Sequence, residues 1–580
     1  MGRDTAAAEA GLHDQTQLLQ KRELLIVFGT MTAALFVAFL DQNGITVLLP
    51  SIARDLNAQS SITWAGTSAL VANTIFQILY GRLSDLFGRK NILISALILL
   101  SLSDLVCGLS VNSTMLYIFR GLAGVAGGGI TSLTMMIVSD IVTLQDRGKY
   151  QGILGAAVGL GNAVGPVLAA SFDLVTWRGL FYLLAPLCML TVIPSWRYLP
   201  TNMPKLNVRE TLAKIDLLGL LTGTAAVILL LIPISQGGHD GYAWSSPEIV
   251  AMLCVGGVCF VAFLVVEWKF ASLPMMPLAM FRSPSVSAML AQSLLLGASY
   301  YSYIYFVPLY LQNVKRLSPI ASAVMMLPLV VSQSITSTLA GLYISLYNRY
   351  GIVIWSGFFI WTLGSGLLII SDTQTNLGLF AFYLIIIGSG TGCTFQPTLV
   401  ALQAQTPAIQ RAVVTSNRNF LRSSGGAIGL AVSSAVLANT LKSALPADLA
   451  DVANSSFAAP KLSHFSTEQQ RLIVHGYALA SRNVFIWCVP LTGICLVLCL
   501  FIRDRGLQRK EEIAQQSTQS SVETGEETQE KATSRVAQVH PVQERSTHVT
   551  DLDHDPCDEH HHGNDSDFGS ITSTMPEKAG

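Results

Sequence analysis

Hydrophobic stretches recur along this chain with a spacing that sets its architecture. Apolar runs lie near residues 24–50, 62–80, 90–111, 114–138, 151–171, 179–199, 216–235, 249–267, 284–312, 319–346, 352–371, 376–399, 424–441 and 483–502. A bilayer core of about 30 Å is crossed by roughly 17–25 helical residues, so each run is long enough for one span. The pattern predicts fourteen spans with both chain ends on the same side. The polar intervals are short, which leaves no room for a large soluble domain before residue 504.

Charge orients the spans. Arg82, Arg89 and Lys90, then Arg147 and Lys149, Lys205, Arg209 and Lys214, Lys269 and Arg282, Arg349, and Arg411, Arg418 and Arg422 fall in alternate intervals. The positive-inside rule places those intervals in the cytoplasm, with Arg54, Arg178 and Lys315-Arg316 as exceptions on the other side. Lys21-Arg22 and the basic cluster Arg503, Arg505, Arg509 and Lys510 put both tails inside. Only 12% of residues are charged and 51% are hydrophobic, with a mean hydropathy of +0.50. Soluble domains carry about 25% charged residues, so this is a polytopic membrane protein.

Eight of the nine cysteines lie in apolar runs and none forms a C-x-x-C pair, so neither a disulfide nor a zinc site is expected. The polar N-terminus has no cleavable-signal pattern, and the first span is expected to serve as its own insertion signal. Residues 504–580 are rich in Glu, Gln, Ser, Thr and His and are expected to be disordered. Asp553-His554-Asp555 and His560-His561-His562 there read as solvated segments. Asn454-Ser455-Ser456, in the last outside interval, is a candidate glycosylation acceptor.

The most polar island between spans is Gly81-Arg82-Leu83-Ser84-Asp85-Leu86-Phe87-Gly88-Arg89-Lys90-Asn91. It predicts a short loop, with Gly81 and Gly88 for tight turns and Asp85 set to pair with Arg82 or Arg89. A weaker copy runs from Gly341 to Arg349, where Ser345 replaces the acid and Asn348 the second glycine. Such a repeat fits two homologous six-helix bundles. The spacing G-x-x-x-D-x-x-G-R-K resembles the signature loop of the major facilitator superfamily, which latches two helical bundles in one state of a transport cycle. The resemblance assigns that latch to Gly81, Asp85, Gly88, Arg89 and Lys90. It implies an all-α polytopic major facilitator fold of fourteen transmembrane helices. The expected parts are a tail at 1–23, a six-helix bundle at 24–200, a linker with two extra spans at 201–275, a second bundle at 276–503 and a tail at 504–580.

Asp41 interrupts the first span. A carboxylate at mid-span disfavours insertion by about 2.5–3.5 kcal/mol, so such residues usually face a cavity and do work. Leu40-Asp41-Gln42-Asn43-Gly44-Ile45-Thr46-Val47-Leu48-Leu49-Pro50 resembles the first-helix motif L-D-x-T-I-V-N-V-A-L-P of fourteen-span drug:proton antiporters. Asn43, Gly44, Thr46 and Leu48 depart from it. Arg120, on a face with Gly124, Gly127, Gly128 and Thr131, resembles the arginine of L-x-x-x-R-x-x-x-G, assigned to proton transfer in that family. A guanidinium stays protonated, so its role is to tune an acid or position water. Asp104 has no counterpart in these motifs; it is expected near the outer end of span three, snorkelling, as a second proton or cation site.

Gly161, Asn162, Gly165 and Pro166 in span five resemble the exporter motif G-x-x-x-G-P-x-x-G-G, with Ala169-Ala170 in place of its last glycines. Arg418 and Arg422 are expected to form a cytoplasmic latch facing the Asp85 loop. Gln42, Gln292, Tyr300 and Gln396 are expected to line a substrate cavity, and Tyr305 and Phe306 to form an interfacial belt.

The resemblance implies proton-coupled efflux of small amphipathic organic compounds, such as drugs, toxins or fungal secondary metabolites, by alternating access. The expected partners are that substrate, protons and the lipid bilayer, with no nucleic acid, and the chain is expected to act as a monomer. The expected location is the plasma membrane, with the vacuolar membrane as alternative. A vacuolar carrier of basic amino acids, a siderophore carrier and a transporter-like sensor are the competing readings. The sequence has no P-loop lysine motif, and its spans hold no nucleophile elbow, catalytic acid pair or metal-spaced His cluster. No enzyme activity, cofactor or metal is therefore expected.

Overall fold

Each apolar run forms a helix in the computed structural model. The structure describes residues 19–58, 61–200, 216–236, 244–271, 273–407, 410–449, 465–504 and 506–507, all within the unit Met1–Lys510. Asn454 and nearly all of both tails lie outside the described residues. The first six helices are α1 (Lys21–Asp55), α2 (Thr63–Phe87), α3 (Arg89–Gly108), α4 (Ser113–Ile141), α5 (Arg147–Asp173) and α6 (Arg178–Tyr198). Next come α7 (Leu217–Gln236) and α8 (Pro247–Lys269). The last six are α9 (Pro284–Asn313), α10 (Pro319–Tyr347), α11 (Gly351–Leu368), α12 (Leu377–Ala404), α13 (Arg411–Ala444) and α14 (Thr467–Leu498). The helix α10 is broken at Met326, just ahead of Pro328, which has no N–H to continue the ladder. No strand occurs among the described residues.

Twelve of these helices are long and apolar enough to cross a bilayer by themselves. The other two are α2, whose lower half carries buried polar groups, and α7, whose apolar part is Leu218–Ile234. Both pack against other helices of the protein, α2 on α4 and α13, and α7 on α8.

One apolar core runs from Val27 to Leu199 and a second from Met280 to Leu507, joined by Leu144 and Ala163. These are the interiors of two six-helix bundles, α1–α6 and α9–α14. The α7–α8 pair leans on the seam between them, through Val71, Ile75, Leu231 and Ala427 and through Phe263, Met276 and Phe420. The bundles meet where α5 packs on α10 and α2 on α13. Small residues permit that approach: a Cβ on Gly152 would sit 2.6 Å from the Ser337 carbonyl oxygen. On the opposite face of α5, a Cβ on Gly161 would sit 2.8 Å from the Phe39 Cβ of α1. Thus α5 is wedged between its own bundle and the other.

Three boundaries differ from the sequence expectation. The charged island is not a loop: α2 continues through it to Phe87, and the helix breaks only at Gly88, with φ +83°. Arg82 and Asp85 are buried, and Arg89 pairs with Asp85 and Asp140, so these charges do not draw the backbone out to water. In the repeat, α10 ends at Asn348, with φ +54°, at the position equivalent to Gly88. The helix expected from 424 begins at Arg411, because its polar first turns point into the protein. The last helix begins at Thr467, where Ser466 and Gln469 form a capping box.

Candidate functional site

A narrow cavity of about 10 Å³, room for roughly one water, lies between the bundles, walled by α4, α5, α10, α12 and α13. Its lining includes Gly155, Gln333, Ser337, Phe395, Gln396, Arg418 and Arg422, and contains no Asp or Glu. Arg418 and Arg422 are 1% and 3% exposed. The Arg418 guanidinium donates to the Phe395 carbonyl at 2.6 Å and to Asn419 Oδ1 at 3.1 Å. That of Arg422 stands 5.9 Å from the centre of the Phe395 ring. Two guanidiniums one helical turn apart, ion-paired with no carboxylate among the described residues, make a buried cationic site. The structure therefore moves Arg418 and Arg422 from the expected cytoplasmic latch to the cavity, because α13 starts at Arg411.

A second polar cluster lies inside the first bundle. Arg120 Nη1 meets Asp41 Oδ1 at 2.5 Å, and both side chains are buried. Asp104 is fully buried beside them instead of snorkelling to the surface. No nitrogen or hydroxyl of the described residues donates to its carboxyl oxygens, and the Asp41 carboxyl is its polar neighbour. Two carboxyls lie beside one guanidinium, of which only Asp41 touches it, so the cluster is electrically neutral only with one proton bound.

The remaining expected cavity residues separate. Gln396 lines the cavity. Tyr300 stands at its edge, donating to Gln333 Oε1 at 3.1 Å and accepting from Asn162 Nδ2 at 3.0 Å. Gln292 does not reach it: its amide donates to the Cys495 carbonyl at 2.8 Å inside the second bundle. Gln42 is half-buried on α1, away from the lining. Tyr305 is exposed as a belt residue would be, whereas Phe306 is buried. Gly165 and Gly161 seat α1, and Pro166 lies in the helix between them and the outer end.

At the α2–α3 junction, Arg89 contacts Asp140 and lies 3.6 Å from Asp85, while Lys90 is half-buried. A Cβ on Gly81 would fall 2.6 Å from Ser416 Oγ, so α2 and α13 touch here. Arg82 Nε donates to the Pro274 carbonyl at 2.9 Å. Buried Glu267 accepts from the backbone N–H groups of Met275 and Met276, each at 3.1 Å, and Asn417 donates to the Met275 carbonyl at 2.8 Å. The segment leaving α8 is thereby tied to both bundles. Sequence reasoning missed Glu267 and Gln333; a lone acid near the end of an apolar run was the available signal for the first.

The profile of the Major Facilitator Superfamily matches residues 31–430. Citrate exporter 1 of Yarrowia lipolytica is 47% identical, over 87% of this chain and 76% of its own length. MFS-type transporter clz4 of Cochliobolus lunatus is 40% identical, over 86% of this chain and 89% of its own. Efflux pump dotC of Dothistroma septosporum is 34% identical over 72% of each. Among solved structures, the proton:xylose symporter XylE superposes with a TM-score of 0.55 at 13% identity, over 86% of this chain and 99% of its own. The human organic anion transporter MFSD10 gives 0.53 at 13%, over 83% and 100%. These two likenesses concern the fold.

Proposed function

This chain belongs to the Major Facilitator Superfamily, and from that membership we propose that it exports small organic acids, as anions, by alternating access across the plasma membrane. The observation that carries the reading is the acid-free cavity with buried Arg418 and Arg422. A buried charge without a counter-ion is strongly disfavoured, so the cavity favours an anionic occupant. Neutral and cationic amphipaths lack that complement. The relative named Citrate exporter 1 supports a carboxylate cargo, and the α5 motif residues Gly161, Asn162, Gly165 and Pro166 support the outward direction.

Energetics agree with that direction. Moving one charge through 100 mV is worth about 2.3 kcal/mol, so a dianion leaving a negative interior gains about 4.6 kcal/mol. At about 1.4 kcal/mol per decade, this sustains an outward gradient of roughly 2000-fold. We assign proton uptake to the Asp41–Arg120–Asp104 cluster, where a proton moving inward adds a second driving force. The monomer is the working unit in this reading, since one chain supplies every residue of the cavity.

Uptake into inside-out vesicles, with citrate, succinate, acetate, a neutral dye and a cationic dye offered in parallel, tests the reading. Gradient-driven uptake of the carboxylates is expected; uptake confined to the dyes overturns it.

A further inference from the structure

A chain of side-chain hydrogen bonds leads from α1 to the cavity and has a fixed sense. Asn43 Nδ2 donates to the Phe39 carbonyl at 3.1 Å and to Asn162 Oδ1 at 2.8 Å. Asn162 Nδ2 donates to the Tyr300 hydroxyl at 3.0 Å, and that hydroxyl donates to Gln333 Oε1 at 3.1 Å. A backbone carbonyl can only accept, so Phe39 determines which end of the Asn43 amide faces it. The amide of Asn43 then presents N–H to Asn162, which must answer with oxygen. The Asn162 N–H occupies the Tyr300 oxygen, so the Tyr300 proton goes to Gln333. The oxygen of Gln333 is thereby taken, and its NH₂ group is left for the cavity it lines.

We infer that Tyr300, set by Asn162 and Asn43, is a positioning residue that holds the Gln333 amide as a donor to an anion beside Arg418 and Arg422. This rests on the organic-anion reading of the same cavity. The chain crosses from the first bundle to the second at the Asn162–Tyr300 bond. Rocking the bundles apart at this level breaks that bond, frees the Tyr300 hydroxyl and lets the Gln333 amide turn. The cavity then holds an anion less tightly, which is what an exporter requires at the moment of release. Tyr300 also packs edge-on to Phe395 at 4.8 Å between ring centres, so loss of its hydroxyl alone leaves the aromatic contact in place.

The test is a double-mutant cycle on the reconstituted full-length protein, with radiolabelled citrate as probe. Tyr300→Phe is expected to raise KM about tenfold and change kcat less than threefold, as expected for one hydrogen bond to a charged ligand. In a Gln333→Leu background, the same substitution is expected to add less than twofold, because the group it orients is gone. Asn162→Ala is expected to shift KM in the same direction and carries the test if Tyr300→Phe does not fold. Equal effects of Tyr300→Phe with and without Gln333, or an unchanged KM, overturn the inference while wild-type citrate transport leaves the anion reading standing. Wild-type protein that moves none of the carboxylates removes the anion reading itself, and the inference with it.

Discussion

Arg120 of α4 and Asp41 of α1 meet at 2.5 Å with both side chains buried. Removing one partner breaks a buried, hydrogen-bonded ion pair, a change that destabilises by about 3–5 kcal/mol. Asp41→Ala and Arg120→Leu are each expected to lower the thermal unfolding temperature markedly, and the double mutant less than their sum. Unfolding in detergent, followed by intrinsic fluorescence, measures it. Additive losses would mean that the two charges do not interact.

Asp104 gives a different readout. It lies beside the pair without a donor of its own, so Asp104→Asn removes one carboxylate while leaving the Arg120–Asp41 contact. Substrate uptake driven by potential is expected to persist, and stimulation by a pH gradient to fall at least fivefold. Stimulation at wild-type level would take Asp104 out of the proton step.

Close packing at the α5–α10 seam makes a steric prediction. Gly152→Leu has no room, since even a Cβ would lie 2.6 Å from the Ser337 carbonyl oxygen. Overpacking there costs about 1–3 kcal/mol in the closed arrangement of the seam, and transport is expected to drop more than tenfold with the protein still inserted. Gly29→Ala, with nothing within 4 Å of the added carbon, is the matched control and is expected to transport normally.

Much of this architecture was legible because its cause is local. Span length and apolar runs located the helices, and Gly88 and Asn348 marked the same helix break in both repeats through their left-handed backbone. The clustering of Asp41 and Arg120 was not legible, since it depends on the packing of α1 on α4; only their unusual placement in apolar runs was. Arg418 and Arg422 were misplaced for a physical reason. A polar stretch next to an apolar run reads as a loop, yet here the first turns of α13 are polar because they face a cavity and not because they face water. Gln333 carries no signal at all in sequence, since a glutamine in an apolar run is ordinary until Tyr300 is seen to fix it.

The segment leaving α8 offers a gate to probe. Glu267 holds the Met275 and Met276 amides, and Arg82 and Asn417 hold the carbonyls of Pro274 and Met275. Each such hydrogen bond contributes about 0.5–1.5 kcal/mol net. Glu267→Ala is therefore expected to loosen the cytoplasmic closure, seen as at least fivefold faster labelling of a Ser416→Cys reporter in inside-out vesicles. Unchanged labelling would make the segment a passive connection.

In the proposed mechanism Arg418 and Arg422 bind the exported anion. Citrate uptake into inside-out vesicles under a lumen-positive potential, comparing wild type with Arg422→Gln, tests it most directly. Wild type is expected to accumulate citrate in proportion to the imposed potential, and Arg422→Gln to lose at least tenfold in kcat/KM with normal insertion. Equal uptake by both proteins, or uptake indifferent to potential, would contradict it.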